Sequence, residues 1–416
     1  MSPFVLPDEY VELRASLRRL AETDIAPHAA EADEREAYPW ASWEAWRDAG
    51  FAGLAFPEEY GGQGGGILAH ALAVEEVARV CASSSLFTFI SKLAMTPVLD
   101  YGSDALKQRY VTRVASGECQ ASYCLSEADA GSDVSGMRTR AVRDGDTYVL
   151  TGRKLWITNA GVSDFYLVFA KTDADAGHRG ISCFVVEQSF PGFSVSKLER
   201  KLGVRGSPTG EVTLDGCVVP AGNLVGDEGR GFNYAMGALD RSRPLVGAQA
   251  LGIARGALEL ATRYVGERKQ FGSRLADFQG LQFMLADMAT QVEAAALLVY
   301  RACSLLDSGL PGTGSASSMA KLFASDTAMR VTTDCVQLLG GIGYTRDLPA
   351  ERFLRDAKIT QIYEGTNQVQ RMVVARNLVK ETAALAKLLD AYIPREVQVG
   401  FNDPETLAPT PTEAKA

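Results

Sequence analysis

The chain has 416 residues, 46% hydrophobic and 22% charged, a balance that fills a large packed core and excludes disordered, collagen-like and coiled-coil classes. Its 42 Lys and Arg against 51 Asp and Glu leave a formal charge of −9. No Lys/Arg-rich run stands ready to replace phosphate counterions, which argues against nucleic acid and acidic membranes as partners. At roughly 100–200 residues per domain, two or three domains are expected. The N-terminus, acidic from Asp8 onward, lacks the basic-apolar-small order of a signal peptide, and no apolar run approaches the roughly 18 residues that span a bilayer. Seven scattered cysteines without a C-x-x-C pair fit reduced thiols, so a cytoplasmic protein is expected. His28, His70 and His178 lie far apart, and no metal site is expected from them.

In residues 6–30 the apolar positions Leu6, Tyr10, Leu13, Leu17, Leu20 and Ile25 recur at helical spacing, and Pro7-Asp8 is a start signal. Residues 39–54 and 67–80 carry the same period around a turn-rich stretch, 56–66, which predicts a helical domain over 1–119. Residues 147–151, 165–170, 181–186, 193–197 and 211–214 are short and β-rich between Gly and Pro turns, predicting a β-domain over 120–229. The helical period returns in 244–266, 281–307, 315–339 and 369–389. Short Gly-rich breaks join these helices, so an antiparallel bundle is predicted over 230–390. A polar tail, 391–416, is expected to be mobile.

No G-x-G-x-x-G follows a predicted strand and no G-x-x-x-x-G-K-[ST] occurs, so a nucleotide cofactor would be held another way. Tyr123-Cys124-Leu125-Ser126-Glu127 runs into Ala130-Gly131-Ser132-Asp133, a strand-to-turn piece whose backbone N–H groups can face a ligand; an Asx or Ser turn is the commoner use. Trp156 and Thr158 fall on one strand face, where an indole beside a hydroxyl suits a flavin ring or an ordinary core. Arg268-Lys269-Gln270-Phe271-Gly272, followed by Phe278-Gln279, sets a guanidinium at a helix C-terminus, for the dipole or for a pyrophosphate. Gln337 to Gly341 has the form of a helix ending in a Gly cap. In Tyr363-Glu364-Gly365-Thr366 a carboxylate follows Ile359 and Ile362; desolvation there suits a general base, and a solvated cap is the bland alternative.

In this order and at these separations, the segments resemble the acyl-CoA dehydrogenase family across about residues 6–389. The resemblance implies an α+β fold with an N-terminal helical domain, a middle β-barrel-like domain and a C-terminal four-helix bundle. It also implies FAD, lined by Tyr123, Leu125, Ser126, Trp156 and Thr158 at the ring. Arg268, Gln270, Phe271, Phe278, Gln279, Gln337 and Gly341 are implied at its pyrophosphate and adenosine, largely across a subunit interface, with Thr366 and Gln368 completing that site. Ser132, Asp240, Arg243 and Gly365 are implied to meet substrate. Ser126 stands where many members have Thr and Ala128 where many have Pro; backbone and hydroxyl roles survive both changes. A homotetramer, a dimer of dimers, is implied as well.

The implied reaction is α,β-dehydrogenation of an acyl-CoA to a trans-2-enoyl-CoA. Glu364 takes the α-proton, the β-hydride goes to flavin N5, and the electrons pass to an electron-transfer flavoprotein. Burial of Glu364 is expected to raise its pKa. Isovaleryl-CoA dehydrogenases place their base at the position of Ser242; serine cannot serve, so the majority type is expected. Acyl-CoA oxidase and carrier-protein dehydrogenase are the enzymatic alternatives, and a nucleic-acid-binding flavoprotein is disfavoured by the acidic charge. Phe87, Phe89 and Met95 are placed either at a shallow acyl pocket or in the core, and short or medium, even branched, chains are expected.

Overall fold

The computed structural model describes residues 6–389; the expected mobile tail lies outside them. Acidic residues open helix α1 (Asp8–Leu20) and arginines close it, complementing its dipole. The predicted 6–30 helix is not continuous. It passes through a π turn (Ala21–Ile25) and a 3-10 turn (Ala26–His28) before α2 (Ala29–Arg35), because Pro27 has no N–H to give the ladder. Helices α3 (Trp40–Asp48), α4 (Ile67–Ala78), α5 (Ala82–Tyr101), α6 (Asp104–Leu106) and α7 (Thr112–Ala115) follow. All but one residue of α4 are buried, including Glu75 and Glu76. Arg14 pairs with both carboxylates (2.6 and 2.7 Å), Arg18 with Glu76 (2.9 Å) and Arg255 with Glu75 (2.6 Å), so these buried charges are compensated and pin α1 to the interior.

Seven strands form the middle sheet: β1 (Ala121–Cys124), β2 (Arg140–Asp144), β3 (Thr147–Thr158), β4 (Phe165–Lys171), β5 (Ile181–Glu187), β6 (Phe193–Leu198) and β7 (Thr209–Pro220). Their order is β1-β4-β2-β3-β7-β6, with β5 on the other side of β4. A single residue pair, Arg140 with Lys171, joins the β1-β4-β5 half to the rest. The two halves enclose a shared core containing Tyr148, Leu150, Tyr166, Val168, Phe184 and Val212. The sheet is thus barrel-like but open among the described pairs. β4 and β5 are buried on both faces, since Phe165, Leu167, Cys183 and Val185 pack the opposite way against the N-terminal helices. That double burial accounts for their unbroken apolar runs. Strand β2 is mostly exposed and carries no clear period, and β1 is four residues long, ending inside the strand-to-turn piece that starts at Tyr123.

Helix α8 (Gly231–Glu267) begins 13 residues before the predicted start at Pro244. A proline inside a helix removes one bond, here the one to the Asp240 carbonyl, yet the buried residues on either side of it hold the helix together. A short hairpin, β8 (Lys269–Gln270) with β9 (Ser273–Arg274), leads to α9 (Gln279–Asp307), α10 (Thr313–Leu339), α11 (Ala350–Thr360) and α12 (Asn367–Leu389). Helix α10 packs on α8, α9, α11 and α12. Helix α11 has no counterpart among the predicted helices. Helix α9 is long and apolar enough to cross a membrane by length and composition only, and 28% of its most apolar stretch is buried in the chain.

Candidate active site

Glu364 sits in the six-residue link between α11 and α12, with φ at 53°, and Gly365 follows at 90°. Two successive left-handed residues turn the chain sharply, and the first is a non-glycine that must be held there. The holding groups come from α8, α10 and α12. Gln370 donates to the carbonyls of Glu364 (3.3 Å) and Gly365 (3.0 Å). Lys321, fully buried, donates to Gly365 O and Asn367 Oδ1, both at 2.9 Å. The Tyr363 hydroxyl donates to Gln249, which in turn donates to Ser85 Oγ and Ala82 O.

The carboxylate itself accepts a hydrogen bond from Ser242 at Oε2, while Oε1 is buried with no partner. Burial raises the carboxyl to about 7, against the pull of the Ser242 hydroxyl and the Arg243 and Lys321 charges. Arg243, buried and paired with Asp240, keeps an unpartnered buried Nε. Tyr123 lies within electrostatic reach of Glu364 and Arg243, and its hydroxyl donates to Ala235 O at 3.2 Å. A proton-accepting oxygen with no partner, beside a cation and a tyrosine, is suited to accept a proton from a weak carbon acid.

The segment after β1 is held by a buried ion pair. Lys154 Nζ meets Glu127 Oε1 at 2.8 Å and Leu125 O at 3.1 Å, and Glu127 also accepts the N–H groups of Arg138 (2.6 Å) and Thr139 (3.0 Å). Ser126 O accepts Leu155 N at 2.9 Å, which ties this loop to β3. A bulge between Lys154 and Ile157 puts Trp156 at φ 63° and leaves its indole 60% exposed, while Ile157 faces the core. Trp156 and Thr158 therefore share the outward face with Ser126 nearby, and a half-exposed indole in a strained bulge fits a flat ring ligand. Ser132 is exposed on the same loop. Thr366 caps α12 through its hydroxyl to Val369 N (3.3 Å), and Gln368 is exposed.

The chain does not bring the remaining site residues to this place. From Arg243 to Arg268 is 25 residues of α8, about 38 Å at about 1.5 Å per residue. Arg268, Gln270, Gln279, Gln337 and Gly341 are exposed at the far end of the bundle; Phe278 is half-buried there, and Phe271 is 95% exposed. Phe87, Phe89 and Met95 are core residues. Lys321, Gln370, Gln249 and the Glu127–Lys154 pair carried no assigned role in the sequence reading. For Lys321 a signal existed: a lysine on the α10 face that also carries Ser317, Ala320, Ala324 and Ala328 must be buried and partnered.

Models of the acyl-CoA dehydrogenase N-terminal, middle and C-terminal domains match residues 7–118, 122–217 and 229–379. A probable acyl-CoA dehydrogenase of Mycobacterium tuberculosis is 52% identical over 91% of this chain and 97% of its own length. The short-chain specific acyl-CoA dehydrogenase of Clostridium acetobutylicum is 45% identical over 89% of this chain and 98% of its own. Butyryl-CoA dehydrogenase from Megasphaera elsdenii superposes with a TM-score of 0.88 at 41% identity, covering 90% of this chain and 99% of that one. A chain from the structure of an electron transferring flavoprotein of Acidaminococcus fermentans gives the same TM-score at 46% identity, covering 90% of this chain and 99% of that one.

Proposed function

The chain belongs to the acyl-CoA dehydrogenase family, an FAD-dependent oxidoreductase family, and from that premise we propose that Glu364 removes the α-proton of a short acyl-CoA. The observation that carries this is the buried, unpartnered Oε1 on a carboxyl held at about 7. FAD, when bound, supplies the acceptor for the two electrons lost from the C–C bond. Trp156, Thr158, Ser126, Leu125 and Tyr123 are our choice for its ring, on the half-exposed indole and the strained bulge. Gly365 and Arg243 border the thioester; Ser132 and Asp240 extend toward its carrier arm. We divide the chain at 1–119, 120–229 and 230–390, and the proposed site then draws its residues from the sheet domain and the bundle. Anaerobic titration with butyryl-, isobutyryl-, octanoyl- and palmitoyl-CoA, followed by flavin absorbance, tests the reading: one thioester is expected to bleach the flavin, and none doing so would end it. An electron-transfer flavoprotein is the proposed acceptor, supported by its structural neighbour in Acidaminococcus.

A base must be unprotonated to accept a proton. The single-turnover rate is therefore expected to climb about tenfold per pH unit below about 7 and to level off above it. A flat profile from pH 5.5 to 8.5 would overturn the assignment. The same raised value means that the native state binds a proton the unfolded chain has released between 4.5 and about 7, so this group's contribution to stability falls as pH rises through that window.

Arg268, Gln270, Phe271, Phe278, Gln279, Gln337, Gly341, Thr366 and Gln368 are proposed to hold the rest of FAD across subunits of a homotetramer. Support comes from the exposed apolar residues Phe283 and Leu297 on the poorly buried α9, with Met319 and Phe323 on α10. Phe283→Asp is expected to lower the sedimentation mass at least twofold and to release FAD with it. An unchanged mass with full FAD would exclude α9 from the interface.

A further inference from the structure

Between α4, α5 and α8 lies a cavity of about 150 Å3 whose wall includes Ser242, the residue that donates to Glu364. At about 30 Å3 per water, it has room for about five heavy atoms, the size of a short acyl tail. Ile67, Leu93, Leu99 and Leu245 supply most of its apolar lining. Most of its polar groups are engaged. Arg241 and Asp100 pair with each other. Asp307 uses its two oxygens on Ile67 N (2.6 Å) and Leu68 N (3.0 Å), and Thr96 donates to Lys92 O (2.8 Å).

Two groups are not engaged. Lys92 Nζ lies 4.7 Å over the Phe56 ring and, among the described residues, makes no hydrogen bond or ion pair. His70 Nδ1 is buried without a partner. The His70 tautomer follows from its other nitrogen: Nε2 is 2.8 Å from Thr88 O, a carbonyl only accepts, and so Nδ1 keeps the lone pair. Burial holds this imidazole down at about 4, which keeps it neutral and accepting.

Resting on the dehydrogenase reading above, we propose that this cavity takes the far end of the acyl group and selects a short acyl-CoA bearing a hydroxyl. Lys92 Nζ donates to the hydroxyl oxygen, and the hydroxyl donates to His70 Nδ1. An unsubstituted tail leaves the half-buried Lys92 donor and the buried His70 acceptor unpaired, which is the source of the selection. A carboxylate fits less well. Arg241 already pairs with Asp100, the wall carries a second carboxylate at Asp307, and a bound carboxylate would turn lone pairs onto the His70 lone pair. Burial and the neighbouring Arg241 also lower Lys92 to about 7, so it offers a donor more dependably than a full charge.

The test uses the FAD-loaded protein and three thioesters of equal chain length: pentanoyl-, 5-hydroxypentanoyl- and glutaryl-CoA. The expected result is a kcat/KM for anaerobic flavin bleaching at least about tenfold higher for the hydroxyl compound than for pentanoyl-CoA, a difference of about 1.4 kcal/mol. Lys92→Met and His70→Phe are each expected to erase that ratio, and Lys92→Gln, which keeps a donor, to retain part of it. Calorimetric binding to Glu364→Gln should give the same order without turnover. If pentanoyl-CoA bleaches the flavin and the hydroxyl compound does no better, or glutaryl-CoA does best, the hydroxyl site is wrong and the dehydrogenase reading stands. If no thioester bleaches the flavin, both fall.

Discussion

Glu364→Gln is expected to bind acyl-CoA and to reduce its flavin about 10³-fold more slowly, within the range that a positioned base contributes. The amide has the shape of the carboxyl, and its oxygen can still accept from Ser242, so the strained turn and its supports from Lys321 and Gln370 are undisturbed. What is lost is the one property that matters for proton abstraction, an oxygen basic enough at neutral pH. Stopped-flow bleaching under single-turnover conditions, with thioester affinity measured in parallel, separates the two effects. A rate within tenfold of the parent protein would remove Glu364 as the base. Loss of binding together with loss of rate would instead assign the carboxylate charge a part in holding substrate, because the amide keeps the hydrogen bond that the carboxyl accepts from Ser242.

The turn around Glu364 shows how far the sequence could be read. Tyr363-Glu364-Gly365-Thr366 was recognisable as a string. That Glu364 and Gly365 would both take a positive φ, and that Ser242 would donate to Glu364, follows only once α8 lies across the α11–α12 link. Long amphipathic helices and alternating strands were legible because burial sets their periods. The beginning of α8 was not, since Pro244 is a stop signal by local rules and the surrounding packing overrides it. Trp156 was placed correctly on its face, but its bulge was invisible: a register shift depends on the partner strand β7, more than 50 residues away. Buried charges were the hardest to foresee. Glu75, Glu76, Lys154 and Lys321 look like surface residues one at a time, and each is fixed by partners distant in the chain.

Lys154→Met is expected to cost about 3–5 kcal/mol of stability, the usual loss when one member of a buried ion pair is removed. Lys154 is fully buried and its ammonium has two oxygens to satisfy, Glu127 Oε1 and Leu125 O. Methionine fills nearly the same volume, so packing changes little and the electrostatic loss dominates. Glu127 retains the N–H groups of Arg138 and Thr139, but its charge then faces burial without a counter-ion. In the parent protein, although burial acts to raise it, Glu127 is held below its ordinary value by Lys154 and those hydrogen bonds. Its contribution is therefore present above the ordinary carboxylate value and is lost as pH falls through the depressed one. Denaturant unfolding of the FAD-loaded variant at pH 7 measures the effect, and adding Glu127→Gln should return a part of it, since that change removes the stranded charge. The loop carrying Leu125 and Ser126 is the element that loosens first, so flavin release on warming should precede unfolding of the helices in the variant. A loss below about 1 kcal/mol, with flavin release unchanged, would mean that the backbone N–H groups alone hold Glu127.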